Sequence, residues 1–168
     1  MNLASRVKGF HACIEYAWRS KAAEGKRRLV LGGRSMGARA AVMAVNQVLA
    51  GEGGGDWEGL DVDLVLVSYP LKGPKDVRDE ILLALSGRVN VLFVIGDRDA
   101  MCPLDLLDSV RGKMEAKSQV VVVRGADHGM HTKPAGAEKE IGEQTGSIAA
   151  KWLDQGLEED VVYINAED

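Results

Sequence analysis

One serine of the sequence has the spacing that activates a hydroxyl for nucleophilic attack. Ser35 stands in a G-x-S-x-G pattern, between a short apolar run and an alanine-rich run. In this pattern a sharp turn between a strand and a helix raises the hydroxyl above the sheet edge. We expect glycine to be required at positions 33 and 37, because a side chain at either position would collide with the neighbouring strand or helix. The backbone N–H of Met36 is the nearest donor for a developing oxyanion.

Candidates for an acid and a base follow later in the chain. Asp97 and Asp99 come directly after a predicted strand, and His128 lies in a glycine-flanked loop after the next one. An imidazole can take the serine proton, and a buried carboxylate can hold the imidazole in the required tautomer. The order Ser, Asp, His along the chain is that of α/β-hydrolases. His131, in the same loop, is the reserve candidate for the base.

Two other kinds of site fit these residues less well. A flavodoxin-like domain could use the glycine-rich turn to bind phosphate, but it would leave Asp99 and His128 without roles. The aspartates and histidines of the two loops could be imagined around a metal ion, yet they lack the close histidine pair of metal motifs. We therefore predict no metal and no organic cofactor.

The elements that must position these residues alternate between strands and helices. Such alternation with short loops predicts a mostly parallel sheet flanked by helices on both faces. The predicted strands, about four, are 28–31, 62–67, 89–95 and 119–123. Helices are predicted before the first strand to near Gly25, after Ser35 to Gly51, over 76–85, from Pro103 and through Ile141 to Trp152. We predict a single α/β domain over 1–168, with a leading helix 1–25, a core 28–157 and a tail 158–168, in which 161–164 is a further short extended piece.

Composition limits the partners and the compartment. The 168-residue chain carries a formal net charge of −4, and its one basic cluster, residues 26–28, precedes a strand. This pattern favours neither nucleic acid nor membrane as a partner. Cys13 and Cys102 are far apart in the sequence, which favours a reducing compartment, the cytoplasm or alternatively the nucleus.

The motif residues also carry a family resemblance. The run 32–41, the loop 68–71, residues 78–80 and the segment from Val91 to Cys102 resemble one group within the α/β-hydrolase superfamily. This group is named after a testis-expressed protein and the third subunit of the NSL histone acetyltransferase complex. The resemblance implies an α/β-hydrolase fold with Ser35 as nucleophile and His128 as base. The superfamily's G-x-x-D motif falls on Gly96 and Asp99, which implies Asp99 rather than Asp97 as the acid.

The sequence departs from that family at its beginning. The resemblance implies several strands before the elbow, with a His-Gly loop that supplies a second oxyanion donor. None precedes Arg28 here, so we expect an N-terminally truncated, partial α/β-hydrolase fold in which Met36 is the one evident donor. The strand 28–31 would then have an unpaired edge, through which the chain would self-associate unless the leading helix or the tail covers it.

These observations predict a serine hydrolase that acts on an ester or thioester of a small molecule or of an acylated side chain. The alternative is a non-catalytic hydrolase-like scaffold for protein–protein contact. The intact Ser, Asp and His set favours the enzyme, whereas the absent second oxyanion donor favours the scaffold.

Overall fold

The computed structural model describes residues 2–20, 28–52, 57, 59–132 and 136–165. Five strands form one parallel sheet in the order β1-β2-β3-β4-β5. The strands are β1 (Arg28–Arg34), β2 (Asp61–Val67), β3 (Val89–Gly96), β4 (Lys117–Val123) and β5 (Val161–Ile164), and the helices are α1 (Leu3–Arg19), α2 (Met36–Leu49), α3 (Glu80–Leu83), α4 (Leu104–Arg111) and α5 (Glu138–Gln155). The predicted α/β class with helices on both faces is confirmed.

The two faces of the sheet bury different sets of side chains. Because side chains alternate along a strand, Leu64 and Leu66 of β2 pack with helices α1 to α4, whereas Val65 and Val67 pack on the side of α5. The strands at the centre are buried on both faces, as β3 illustrates with seven of its eight residues buried. This double burial explains the nearly continuous apolar runs of the central strands.

The tail forms a fifth strand, so the prediction of about four strands is corrected. Residues Val161–Ile164 pair in parallel with β4, and the N–H of Arg124 donates to the carbonyl of Ile164 at 2.9 Å. Ile164 is buried against the α5 side of the sheet. The tail was difficult to assign because a strand of four residues carries little periodic signal.

The leading helix ends earlier than predicted. Helix α1 begins after Asn2, whose side chain accepts the N–H of Ser5 at 2.9 Å. It stops at Arg19 because Ser20 turns to extended backbone and its hydroxyl and N–H both donate to the carbonyl of Ala17. The predicted continuation to Gly25 falls in residues 21–27, which lie outside the described residues.

The helix predicted over 76–85 is reduced to the four residues of α3. Its first part folds back instead: Lys72 and Val77 form an antiparallel bridge, and the N–H of Arg78 donates to the carbonyl of Leu71 at 2.7 Å. Val77, near the start of the segment predicted as a helix, is 45% exposed. In the turn after Gly73, the carbonyl of Asp76 and the N–H of Arg78 form hydrogen bonds outside a helix, so they are not available for helical hydrogen bonds.

The first and the last strand form the two edges of the sheet. Within the described part of the chain, β1 lies at one edge and pairs only with β2, while β5 forms the other edge. The tail therefore does not cover β1, and α1 packs against α2 on the sheet face. Among the described residues, no segment pairs with the outer edge of β1, so of the two expected outcomes, cover or self-association, the second stays a prediction.

Candidate active site

The elbow places Ser35 in a conformation that few non-glycine residues adopt. Ser35 lies between β1 and α2 with φ +52° and ψ −118°, at a backbone cost of about 1–3 kcal/mol. Its N–H donates to the carbonyl of Val67 at 2.9 Å and so continues the ladder with β2. The residue is thereby fixed at the carboxyl end of the sheet, where ligands of parallel α/β proteins bind.

The two elbow glycines have different roles. A Cβ on Gly33 would lie 2.4 Å from the carbonyl carbon and oxygen of Gly37, so only glycine fits there. A Cβ on Gly37 would meet nothing within 4 Å. The expected collision at Gly37 is therefore wrong: the close contact is made by its backbone, and the space around its own Cα is open.

Ser35, His128 and Asp99 lie in a continuous chain of contacts. The hydroxyl oxygen of Ser35 is 2.9 Å from Nε2 of His128, and Nδ1 of the same ring is 2.9 Å from Oδ2 of Asp99. With Nδ1 protonated and donating to the carboxylate, Nε2 is free to accept the serine proton. The structure thus joins residues that are separated by up to 93 positions in the chain.

Asp99 is buried and fixed by several hydrogen bonds. Its side chain is fully buried, whereas that of His128 is 28% exposed. The second carboxylate oxygen, Oδ1, accepts the N–H of Met101 at 2.8 Å, and the N–H of Asp99 itself donates to the carbonyl of Gly96 at 3.1 Å. A buried carboxylate needs such hydrogen bonds, and together they aim Oδ2 at the imidazole.

The side chains of the other two candidates, Asp97 and His131, contact residues other than Ser35. Asp97 is exposed, and its Oδ1 accepts the N–H of Gly125 at 2.7 Å, so it joins the loop after β3 to the loop after β4. The ring of exposed His131 contacts the carboxylate of Asp127 at 3.2 Å. A backbone hydrogen bond from His131 is the main cause that lowers the pKa of Asp127. Asp97 and His131 therefore stabilise the loops.

A further glycine brings the acid loop and the base loop together. A Cβ on Gly96 would lie 2.2 Å from the carbonyl oxygen of Ala126. That carbonyl accepts the N–H of Arg98 at 3.0 Å, and the N–H of Asp97 donates to Val123 at 3.1 Å. The loops carrying Asp99 and His128 are in direct contact because Gly96 has no side chain.

The N–H of Met36 is available as a donor. Met36 is the first residue of α2, so no carbonyl lies in position within the helix to accept its N–H. No hydrogen bond of the described residues uses it. The positive end of the helix dipole adds to its attraction for an anion.

The structural roles of two residues at the site could not be read from the sequence. Ser68, next to Ser35 across the sheet at the end of β2, has φ +48°, is fully buried and has a hydroxyl without a partner among the described residues. Arg34 donates from Nη2 to the carbonyl of Gly129 at 2.7 Å. A serine after a strand and an arginine beside a glycine look ordinary in a sequence, since only the fold shows which backbone groups they meet.

Cys102 lies beside the acid but is not poised as a nucleophile. It is fully buried, and burial, helped by the negative charge of Asp99, raises the pKa of its thiol to about 12. The thiolate is the reactive form of cysteine, and at neutral pH this residue is a neutral thiol. Cys102 therefore contributes packing under the acid loop.

A cavity of about 710 Å³ lies at the other end of the sheet. It is lined by residues at the amino ends of the strands, among them Arg28, Asp63 and Gln119. Asp63 accepts hydrogen bonds there from Nε of Arg28 at 2.5 Å and from Nδ2 of Asn90 at 3.0 Å. Its carboxylate is satisfied by the protein, and the cavity does not reach Ser35.

Two other kinds of feature are absent from the described part of the chain. No group of three or more histidine, cysteine, aspartate or glutamate side chains is arranged there to hold a metal ion. None of the described helices has the length and apolar character needed to cross a membrane.

Known proteins resemble this chain in sequence and in fold. A family model described as an alpha/beta hydrolase domain matches residues 4–153. The structure of an alpha-beta serine hydrolase homologue from Coxiella burnetii superposes with a TM-score of 0.58 at 18% sequence identity. The match covers 86% of this chain and 58% of that one, so this chain spans little more than half the length of its structural neighbour.

Proposed function

The chain belongs to the alpha/beta hydrolase domain family, and from that premise we propose that it is a serine hydrolase. The proposed substrate is an ester or thioester, carried by a small molecule or by an acylated side chain. The observation that carries the proposal is the pair of 2.9 Å contacts that join Ser35 to His128 and His128 to Asp99. The strained backbone of Ser35 supports it, because such strain concentrates at functional sites.

The proposed reaction begins with proton transfer within this chain of contacts. His128 Nε2 takes the proton of the Ser35 hydroxyl as the oxygen attacks the acyl carbon. Asp99 stabilises the imidazolium that forms, and the N–H of Met36 donates to the oxyanion of the tetrahedral intermediate. His128 then returns the proton to the leaving alcohol or thiol. Water, activated by the same imidazole, releases the acid and restores Ser35.

We assign the chain to the group of the testis-expressed protein and the NSL-complex subunit. The elbow run 32–41 and the loop 68–71 support this assignment. The compartment we propose is reducing, the cytoplasm or the nucleus, because Cys13 and Cys102 are both free thiols and cytosolic cysteines stay reduced.

A non-catalytic scaffold is the second candidate function. The outer edge of β1, next to the elbow, pairs with no other strand that the structure describes. This favours the scaffold, because an open strand edge is a ready surface for pairing with another chain. A scaffold does not need an activated serine, so activity distinguishes the two functions.

Hydrolysis of short activated esters and thioesters tests the proposal. We expect Ser35→Ala to abolish the activity and Asp99→Asn to lower kcat by about 10⁴-fold, since an asparagine favours the wrong tautomer of the imidazole. Asp97→Asn and His131→Ala are the matched controls and should keep kcat within a few-fold of the wild type. Equal rates for the wild type and Ser35→Ala would contradict the proposal.

A further inference from the structure

The residue just before the nucleophile reaches across to the loop of the proposed base. We call residues 124–132 the histidine loop. Arg34 is exposed at the end of β1, and its Nη2 donates to the carbonyl oxygen of Gly129 at 2.7 Å. Gly129 directly follows His128. The Arg34 side chain therefore connects the residue before Ser35 to the residue after His128.

No other described hydrogen bond of the histidine loop can replace the one between Arg34 and Gly129. Before His128, the loop is joined to its surroundings through Gly125, bound to Asp97, and through Ala126, bound to Arg98. After His128, the loop bonds are internal, such as the N–H of Met130 to the carbonyl of Asp127 at 2.9 Å. From Gly129 to Thr132, the bond from Arg34 is the only hydrogen bond of the described residues to an element outside the loop.

The backbone of this half of the loop also needs an external support. Met130 has φ +58°, a conformation that costs a non-glycine residue energy unless its surroundings impose it. A hydrogen bond from a charged guanidinium to a carbonyl is stronger than a neutral one. The Arg34 contact is thus suited to hold the loop in the geometry that brings Nε2 of His128 to Ser35.

We infer that Arg34 is a positioning residue, which acts through His128 and does not touch the reacting atoms. This inference rests on the proposed function. Because Arg34 and Ser35 are neighbours in the chain, the contact fixes the base relative to the nucleophile and not merely relative to the sheet. A misplacement of about 1 Å in such a pair can cost about 10²-fold in rate.

Substitution of Arg34 by methionine, glutamine and lysine tests the inference. We expect Arg34→Met and Arg34→Gln to lower kcat and the rate of phosphonylation by a fluorophosphonate about 10–100-fold, with KM nearly unchanged. Arg34→Lys, which keeps a cationic donor, should recover part of the loss. Arg98→Met is the matched control: its side chain is exposed in the adjacent loop, and only its backbone N–H bonds to Ala126.

A second readout follows the imidazole itself. In the wild type and in Arg98→Met, the low-field proton NMR signal of His128 Nδ1–H should be sharp, because that proton is held against Asp99. In Arg34→Met the His128 Nδ1–H signal should broaden or shift. The urea midpoint of Arg34→Met should stay close to the wild-type value, because Arg34 is exposed. A structural role alone would move the midpoint and not the signal.

The outcomes separate the inference from the proposed function. Ser35-dependent activity in the wild type, together with wild-type rates and an unchanged His128 signal in Arg34→Met, overturns the inference alone. A wild type without Ser35-dependent activity overturns the proposed function. The NMR comparison of Arg34→Met with Arg98→Met then still decides whether Arg34 holds His128.

Discussion

Gly33 and Gly37 look equivalent in the elbow motif but have different surroundings. A Cβ on Gly33 would lie within 2.6 Å of three backbone atoms, the carbonyl carbon and oxygen of Gly37 and the nitrogen of Ala38. Backbone atoms cannot rotate away as a side chain would, so strand and helix would have to separate. The space beside Gly37 is open.

We therefore predict opposite effects of two alanine substitutions. Gly33→Ala should lower the free energy of unfolding by about 1–3 kcal/mol, the usual cost of forcing an extra methyl group into a packed site. Gly37→Ala should leave it unchanged or raise it by up to about 1 kcal/mol, because alanine is favoured over glycine in a helix. Urea unfolding followed by tryptophan fluorescence measures both. A Gly37→Ala variant less stable than Gly33→Ala would contradict the prediction.

Some residues of the site could be identified from the sequence, and others could not. Ser35 could be selected because its flanking glycines and its strand and helix context are local. His128 and the aspartate pair could be proposed because the carboxyl ends of parallel strands meet. Asp99 was separated from Asp97 only by resemblance to a family. Physically the two differ in burial and in hydrogen bonds to Met101 or Gly125, which depend on how two distant loops pack.

At the scale of elements, the central strands and the long helices were the most predictable. Strands β2 and β3 are apolar enough to be recognised because both of their faces are buried. Helix α2 follows a glycine elbow and carries small residues that pack closely on the sheet. In these elements local pattern and tertiary environment agree.

Short and terminal elements were predicted less well because their state is decided by partners. The segment 76–85 has the apolar spacing of a helix. The backbone of its first residues is instead engaged by the Lys72–Val77 bridge and by the hydrogen bond from the N–H of Arg78 to the carbonyl of Leu71. Strand β5 exists through its pairing with β4 and the burial of Ile164. Neither interaction is encoded in the segment itself.

At the scale of the whole molecule, the two edges of the sheet are unequal. Strand β5 is a short edge of four residues, whereas β1 offers seven, with the apolar run 29–31 and no proline. Val30 is 46% exposed on the face away from α2. Natural edges are usually shortened, charged or bent to prevent pairing, and the middle of β1 has none of these protections.

We predict that the chain self-associates through β1. Light scattering over a dilution series should show a mass that falls toward the monomer on dilution. Val30→Lys, which places a charge on the strand, should weaken the association, whereas Tyr163→Lys on β5 should leave it unchanged. A chain that is monomeric at every concentration, with amides of residues 29–31 exchanging rapidly, would contradict the prediction.

The central claim is that the fold activates Ser35, and reaction with a fluorophosphonate measures that activation directly. The probe forms a stable bond to a serine oxygen only where a base removes the proton, so intact-mass analysis and peptide mapping report the modified residue. We expect one adduct per chain, located on Ser35, lost in Ser35→Ala, strongly slowed in His128→Ala and retained in His131→Ala. A folded wild-type protein that takes up no probe, or that is modified equally when Ser35 is alanine, would contradict the account.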